Sequence, residues 1–357
     1  MKKILFAMTV LLGCTTMSFA QTSFIATLQH EGEFSHFYGG GALSSAYNAA
    51  VDGDIITLSP GTFSSPGTFD KGVTLRGAGV ESPEQTYISG SITFCSTIST
   101  RVTTVEGIRF SGTVNISNNS SGNGQGSLKF IKNVIQSVQA ITASSYSTNK
   151  GPSVRFYNNA LYGLYFSSNT HPDFLLYNCY IENPQCSGIY FSETTTTFVN
   201  CIIRWSETSY SGGSNSSYAR LCYYLNFYNC IFNRTPNGSN NPNRTSLPIT
   251  ATAYNCLSIN DGYLFNGIVS GGNNQTVNSA SDVFVSYRDS HITGELFELT
   301  ETAKKTYIGT DGTQIGMQGG NYPYNTIVQY PVITKFHSEP QTTKEGILTI
   351  DVEVDGK

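Results

Sequence analysis

The chain has 357 residues, enough for roughly two or three average domains or one long repeat structure. Its formal net charge of -4 leaves no basic surface that would argue for nucleic acid as a partner. Charged residues are only 12% of the chain while Gly, Ser, Thr, Asn and Tyr are abundant, which disfavours a helical protein and suits many short strands joined by turns.

The N-terminus reads as a targeting segment. Lys2 and Lys3 form a charged start, Ile4 to Gly13 an apolar stretch, and Ser18-Phe19-Ala20 a small-x-small cleavage site before Gln21. This pattern predicts a signal peptide over residues 1–20 and an exported protein, either secreted or displayed at the cell surface. A competing reading takes Leu11-Leu12-Gly13-Cys14 as a lipidation signal that anchors the chain through Cys14. It is the poorer match, because bulky residues follow the cysteine. No other segment has the length and apolarity of a membrane span.

Next come Ala42 to Val51, with helical spacing, an Asp52-Gly53 turn, a strand at Ile55 to Leu58 and a Pro60-Gly61 turn. A short amphipathic helix at about residues 40–52 would plug the open end of a coil and cover its core. The coil itself is announced by a repeat. LYNCYI stands at Leu176 to Ile181, FVNCII at Phe198 to Ile203, FYNCIF at Phe227 to Phe232 and AYNC at Ala253 to Cys256, with FYNN at Phe156 as a relative. Anchored on Asn133, Asn158, Asn178, Asn200, Asn229 and Asn255, the copies step by 25, 20, 22, 29 and 26 residues. So variable a period fits a solenoid whose rungs share a core and differ in loop length.

Alternation assigns the faces. Two residues before each Asn stand Ile131, Phe156, Leu176, Phe198, Phe227 and Ala253, a core row; one before stand Lys132, Tyr157, Tyr177, Val199, Tyr228 and Tyr254, a row that faces out. The Asn occupies the bend, where its tolerance of the left-handed conformation is useful, and stacked amides are expected to bond their neighbours on adjacent rungs. After the bend Val134, Asn159, Cys179, Cys201, Cys230 and Cys256 form a small, buriable file. Setting Cys14 aside, the cysteines number seven, and four of them share one place in the repeat; that is no disulfide framework, and no spacing suggests a zinc site. The sequence therefore predicts an all-β fold, a right-handed parallel β-helix solenoid with an N-terminal helical cap over residues 21–330, followed by a strand segment at residues 331–357 whose ILTIDVEVDG alternates strictly.

AAVDGDIITLSPGTF followed by KGVTLRGAG at Lys71 to Gly79 resembles the opening of secreted right-handed β-helix proteins of the pectin-lyase-like superfamily. DGTQIGMQGGNYPYN at Asp311 to Asn325, with PVITKF from Pro331, is similar to the closing segment of many bacterial members. The resemblance spans roughly residues 40 to 335 and implies the fold. The superfamily contains lyases, hydrolases, adhesins and non-catalytic domains, so the function must come from the residues themselves.

The lyases that this resemblance brings in hold calcium with clustered carboxylates and abstract a proton with Arg or Lys; the hydrolases need two or three Asp in one cleft. Between Lys71 and Asn260 this chain has one Asp, Asp173, and six Glu. Neither catalytic set can be placed, so no catalytic residue, metal or cofactor is assigned. Two lesser groupings are a THPD stretch at Thr170 to Asp173, read as a loop corner, and Glu182 with Arg204, expected on adjacent rungs as a solvent-screened ion pair.

Binding has more support. The rows Tyr157/Tyr177/Tyr228/Tyr254 and Tyr180/Ile202/Ile231/Leu257 take the outward parity, which puts them either under loops or on a contact surface, or makes them sheet-stabilising stacks. The stretches Trp205 to Arg220 and Asn233 to Pro248 leave successive rungs at one corner and would build a wall carrying Trp205, Tyr210, Tyr218, Arg220, Arg234 and Arg244. Loops on a rigid scaffold concentrate function, and arginine with aromatics suits an acidic glycan. The expected function is a non-catalytic, glycan-binding or adhesive protein; the alternative is a polysaccharide lyase or glycoside hydrolase with an unfamiliar site.

Overall fold

The computed structural model describes residues 24–81, 85–95, 101–118, 126–142, 153–166, 173–182, 184–186, 196–205, 225–234, 251–260, 262, 264–266, 268, 270–286, 297–327, 332–338 and 350–355. It is a parallel β-helix. One sheet runs through Ile55–Leu58, Thr74–Arg76, Val102–Glu106, Ser127–Ile131, Ser153–Tyr157, Asp173–Tyr177, Thr196–Val199, Leu225–Tyr228, Thr252–Tyr254 and Ser270–Gly272, each strand hydrogen-bonded to the next. A second sheet takes the strand after each bend, including Val134–Thr142, Ala160–Leu161, Tyr180–Glu182, Ile202–Trp205, Ile231–Arg234 and Leu257–Ile259. All of these pairings are parallel, as a coil advancing by one rung requires.

At the first edge an antiparallel hairpin, Ile25–His30 and Glu33–Tyr38, pairs with Ile55–Leu58. Its two-residue turn puts Glu31 and Gly32 at φ of 48° and 89°, the twist that tight hairpins prefer. Helix α1 (Ala42–Ala49) buries Ala42, Leu43, Ala46 and Tyr47 against the first rungs, and Tyr47 stacks on Phe69. Its C-terminus is capped by Lys71, whose Nζ donates to the carbonyls of Tyr47, Asn48 and Ala50 at 2.7, 3.1 and 2.8 Å. The expected helical plug and the following strand are both present.

The core is the inward row. Phe156, Leu176, Phe198, Phe227 and Ala253 are all buried, and aromatic contacts run from Phe69 through Phe94, Phe130 and Phe156 to Phe174. Behind the bend, the N–H of each following residue donates to the previous rung's carbonyl in the file Asn133, Asn159, Cys179, Cys201, Cys230 and Cys256. The four cysteines of that file are buried and free, and burial holds the Cys179 and Cys230 thiols well above the ordinary thiol range. They act as compact apolar filler.

The register differs from the sequence reading in one copy. Phe130, not Ile131, pairs with Phe156 in the core row, and Lys132 takes the bend at φ 53°. Asn133 therefore falls in the cysteine file, one place later than expected. A lysine at positive φ is sterically costly, and an alignment anchored on Asn places the wrong residue there.

Among the described residues the bend asparagines do not bond one another either. Asn158, Asn178, Asn200, Asn229 and Asn255 all have φ between 50° and 56°, as the turn demands. Three of their carboxamides grip the C-terminal segment. Asn255 Nδ2 donates to Ile308 O, Asn229 Oδ1 accepts from Thr310 N, and Asn178 Nδ2 donates to both Met317 O and Gly319 O, at 2.7–2.8 Å. The amide ladder exists one position later, where Asn133 Nδ2 reaches Asn159 Oδ1 at 3.1 Å.

The C-terminal segment is thus a strap that runs back along the coil, ending with Lys132 Nζ on Ile327 O and Thr326 Oγ1 on Glu81. It includes helix α2 (Glu301–Thr306), and its Val283, Phe284, Phe297, Leu299, Ile315, Met317 and Tyr324 bury the row Tyr180, Ile202, Ile231 and Leu257. That row faces out of the coil, as its parity predicted, but it is a second core and not a contact surface. Each such side chain withdrawn from water contributes about 1.5–3 kcal/mol. Val332–Ser338 and Ile350–Asp355 pair antiparallel with each other in a separate sheet. Among the described residues no helix is long and apolar enough to cross a membrane. The signal segment, residues 1–20 with Cys14, lies outside the described residues.

Candidate functional site

With the second sheet's outer face taken by the strap, the first sheet is the side whose outward residues keep partial exposure. Each of its strands alternates, so Ser153, Arg155 and Tyr157, then Asp173, Leu175 and Tyr177, then Thr197 and Val199, Asn226 and Tyr228, Thr252 and Tyr254 point outward and are half-buried. Parallel pairing puts Tyr157, Tyr177, Val199, Tyr228 and Tyr254 directly beside one another.

The rings are ordered by this register. Tyr157 and Tyr177 stack with centroids 5.5 Å apart and planes 3° from parallel; Tyr228 and Tyr254 stack at 5.9 Å and 9°. Tyr322 of the strap, 62% exposed, meets Tyr157 edge-on at 6.2 Å. Burial and the neighbouring Tyr177 push the Tyr157 hydroxyl above the ordinary phenol range, so it is a neutral donor at physiological pH. Flanking charges are sparse. Arg155 Nη2 lies 3.3 Å from Asp173 Oδ2, and burial depresses the Lys132 amine although Glu106 favours its charge. Ring edges and hydroxyls over a rigid sheet make a surface suited to sugars, with apolar C–H groups against the aromatics and hydroxyls against the polar rim.

The residues singled out from the sequence fare differently. The strands bring Trp205 and Arg234 into register as direct neighbours, at the ends of Ile202–Trp205 and Ile231–Arg234 and not in loops; the stretches that follow lie outside the described residues. The side chains of Trp205 and Arg234, and all of Tyr210, Tyr218, Arg220 and Arg244, lie outside the described residues. So do Thr170, His171 and Pro172, while Asp173 is engaged by Arg155. Glu182 and Arg204 are neighbours, as expected, with Nη1–Oε1 3.5 Å, but the pair is not solvent-screened: their side chains are 17% and 6% exposed. Tyr180 and Ile202 beside them are buried under the strap. Burial raises the Glu182 carboxyl and Arg204 opposes the shift.

Among the described residues, no three His, Cys, Asp or Glu side chains are grouped so as to hold a metal ion. The tyrosine file is broken at Val199, which the strand register puts directly between Tyr177 and Tyr228. The aligned row reads Tyr, Tyr, Val, Tyr, Tyr in the sequence as well. Fold and site together define a parallel β-helix with an outward tyrosine file and a strap over the opposite face. No protein-family model matches the chain, and no curated protein matches it.

Proposed function

We propose that this chain is an exported, non-catalytic β-helix protein of the pectin-lyase-like kind that binds polysaccharide, in secreted form or as an adhesive surface protein. The observation that carries the reading is the ordered tyrosine file on the outer face of the first sheet, left open while the strap covers the other apolar row. An aromatic row kept half-exposed on a rigid sheet forfeits burial that the chain achieves elsewhere, which points to a contact surface. The loops that follow Trp205 and Arg234 would add a second contact wall at the far end of the rungs. Trp205→Ala is then expected to leave the melting temperature nearly unchanged and to weaken retention.

The test is incubation of the full chain with a panel of immobilised polysaccharides, reading retention together with release of reducing or unsaturated ends. Retention without release, lost in Tyr157→Ala/Tyr177→Ala, is the expected result. Release of sugar ends would establish the lyase or hydrolase alternative, and a chain retained by no polysaccharide would end the reading.

A further inference from the structure

The tyrosine file is interrupted at one rung, and the interruption has the dimensions of a ligand. Val199 pairs with Tyr177 on one side and with Tyr228 on the other, so the two tyrosines stand two rungs apart with only an isopropyl group between them. Rungs are spaced by about 4.8 Å, which separates the rings by roughly 9.6 Å. A ring seated over Val199 would lie about 4.8 Å from each tyrosine, inside the range of about 4.5–7 Å at which flat groups pair with aromatic faces.

Both walls are backed. Tyr177 is stacked against Tyr157 and Tyr228 against Tyr254, each nearly parallel, so the faces turned away from those partners are the ones that look across Val199. Holding them open in advance removes the ordering cost that a flexible pair would incur on binding. The floor, Val199, is apolar and half-buried. Beside it the outward positions are Leu175, Thr197 and Asn226, which bring a hydroxyl and an amide but no charge. Asp173 lies four residues along the strand from Tyr177, about 13 Å away at the rise of a β-strand.

We infer that this gap is a clamp for a single neutral pyranose ring, a unit of the glycan to which the chain binds. The inference rests on the glycan-binding reading above and deepens it by naming the site and the sugar class. A pyranose presents two largely C–H faces to the tyrosines and a rim of hydroxyls to Thr197 and Asn226. Among the described residues no cation stands beside Val199, so a uronate would bring its carboxylate there without a partner, and an aromatic hydrocarbon would leave the polar rim unpaired.

Saturation-transfer NMR on the full chain with methyl glucoside and methyl galactoside, and with methyl glucuronide and indole as counterparts, tests the clamp. Val199→Tyr fills the gap and continues the stack, Tyr177→Ala and Tyr228→Ala each remove a wall, and Tyr38→Ala, on the N-terminal hairpin, is the control. The expected result is saturation of neutral ring protons by the wild type and the control, and weakening of about tenfold in the other three variants, from the loss of ring contacts. Val199→Tyr should keep its melting temperature, because cross-strand aromatic pairs stabilise sheets. Unchanged or tighter sugar binding by Val199→Tyr would overturn the clamp, as would preference for the glucuronide or for indole. If Val199→Tyr still holds a polysaccharide that Tyr177→Ala loses, the clamp fails while the glycan-binding reading stands; if the wild type holds no polysaccharide, the reading itself fails.

Discussion

At three of the bends, Asn178, Asn229 and Asn255 do two jobs at once. Each accepts a positive φ that costs most L-residues about 1–2 kcal/mol, and each extends a carboxamide to the strap. The two contributions separate by substitution. Asn178→Gly keeps the backbone conformation and strands the carbonyls of Met317 and Gly319, for an expected loss of about 1–3 kcal/mol. Asn158 has a buried Oδ1 without a hydrogen-bond partner among the described residues, so Asn158→Gly should change stability by less than about 1 kcal/mol. Equal losses in chemical denaturation would show that the amides contribute nothing. At the first edge, His30 Nδ1 meets Asp54 Oδ1 at 2.8 Å, and this hydrogen bond and the carboxylate charge raise the imidazole above its ordinary value. Its stabilising effect is therefore complete below about pH 6.5 and is lost as pH rises through the raised folded value. Melting curves between about pH 5 and 8 should show the wild type losing more stability than His30→Gln as pH rises; parallel curves would contradict the assignment.

At the scale of elements, the strap and the capping helix are each held by few, identifiable contacts. Gly319 permits a tight turn within the strap, where a Cβ would sit 1.8 Å from Gln314 O, and Gly320 lets the strap lie close to the coil, where a Cβ would sit 2.2 Å from Asn200 Nδ2 at a φ of 72°. Gly319→Ala should lift this stretch, raise amide exchange over 308–324 and increase binding of a hydrophobic dye as the row from Tyr180 to Leu257 meets water. Exchange in Asp173–Tyr177 should stay as it was, since that strand is held by its neighbours in the first sheet. For helix α1 the single ammonium of Lys71 satisfies three terminal carbonyls, so Lys71→Met is expected to cost about 1–2 kcal/mol in thermal or denaturant unfolding. A neutral outcome would mean that water replaces the cap without loss.

At the scale of the whole molecule, a coil one rung thick is stabilised between neighbours, and the strap ties distant rungs together from Asn255 to Lys132. Much of this was legible in the sequence. Phe156, Leu176, Phe198 and Phe227 reveal the core row because a period of two is rigid within a strand, and the cysteine file follows from the same count. What was not legible depends on contacts between residues far apart in sequence. Parity showed that Tyr180 faces out of the coil, but only the strap's path showed that Phe297 covers it. Lys132 at positive φ is invisible to a pattern keyed on Asn. The hairpin at Ile25–Tyr38 was missed although Glu31-Gly32 marks its turn, because the coil's repeat drew the strand boundaries. Hydroxyl-radical footprinting of the full chain with and without a retained polysaccharide tests the central claim most directly. The account predicts protection of Tyr157, Tyr177, Tyr228 and Tyr254, with Tyr38 on the hairpin labelled equally in both; protection elsewhere that leaves all four tyrosines unchanged would contradict it.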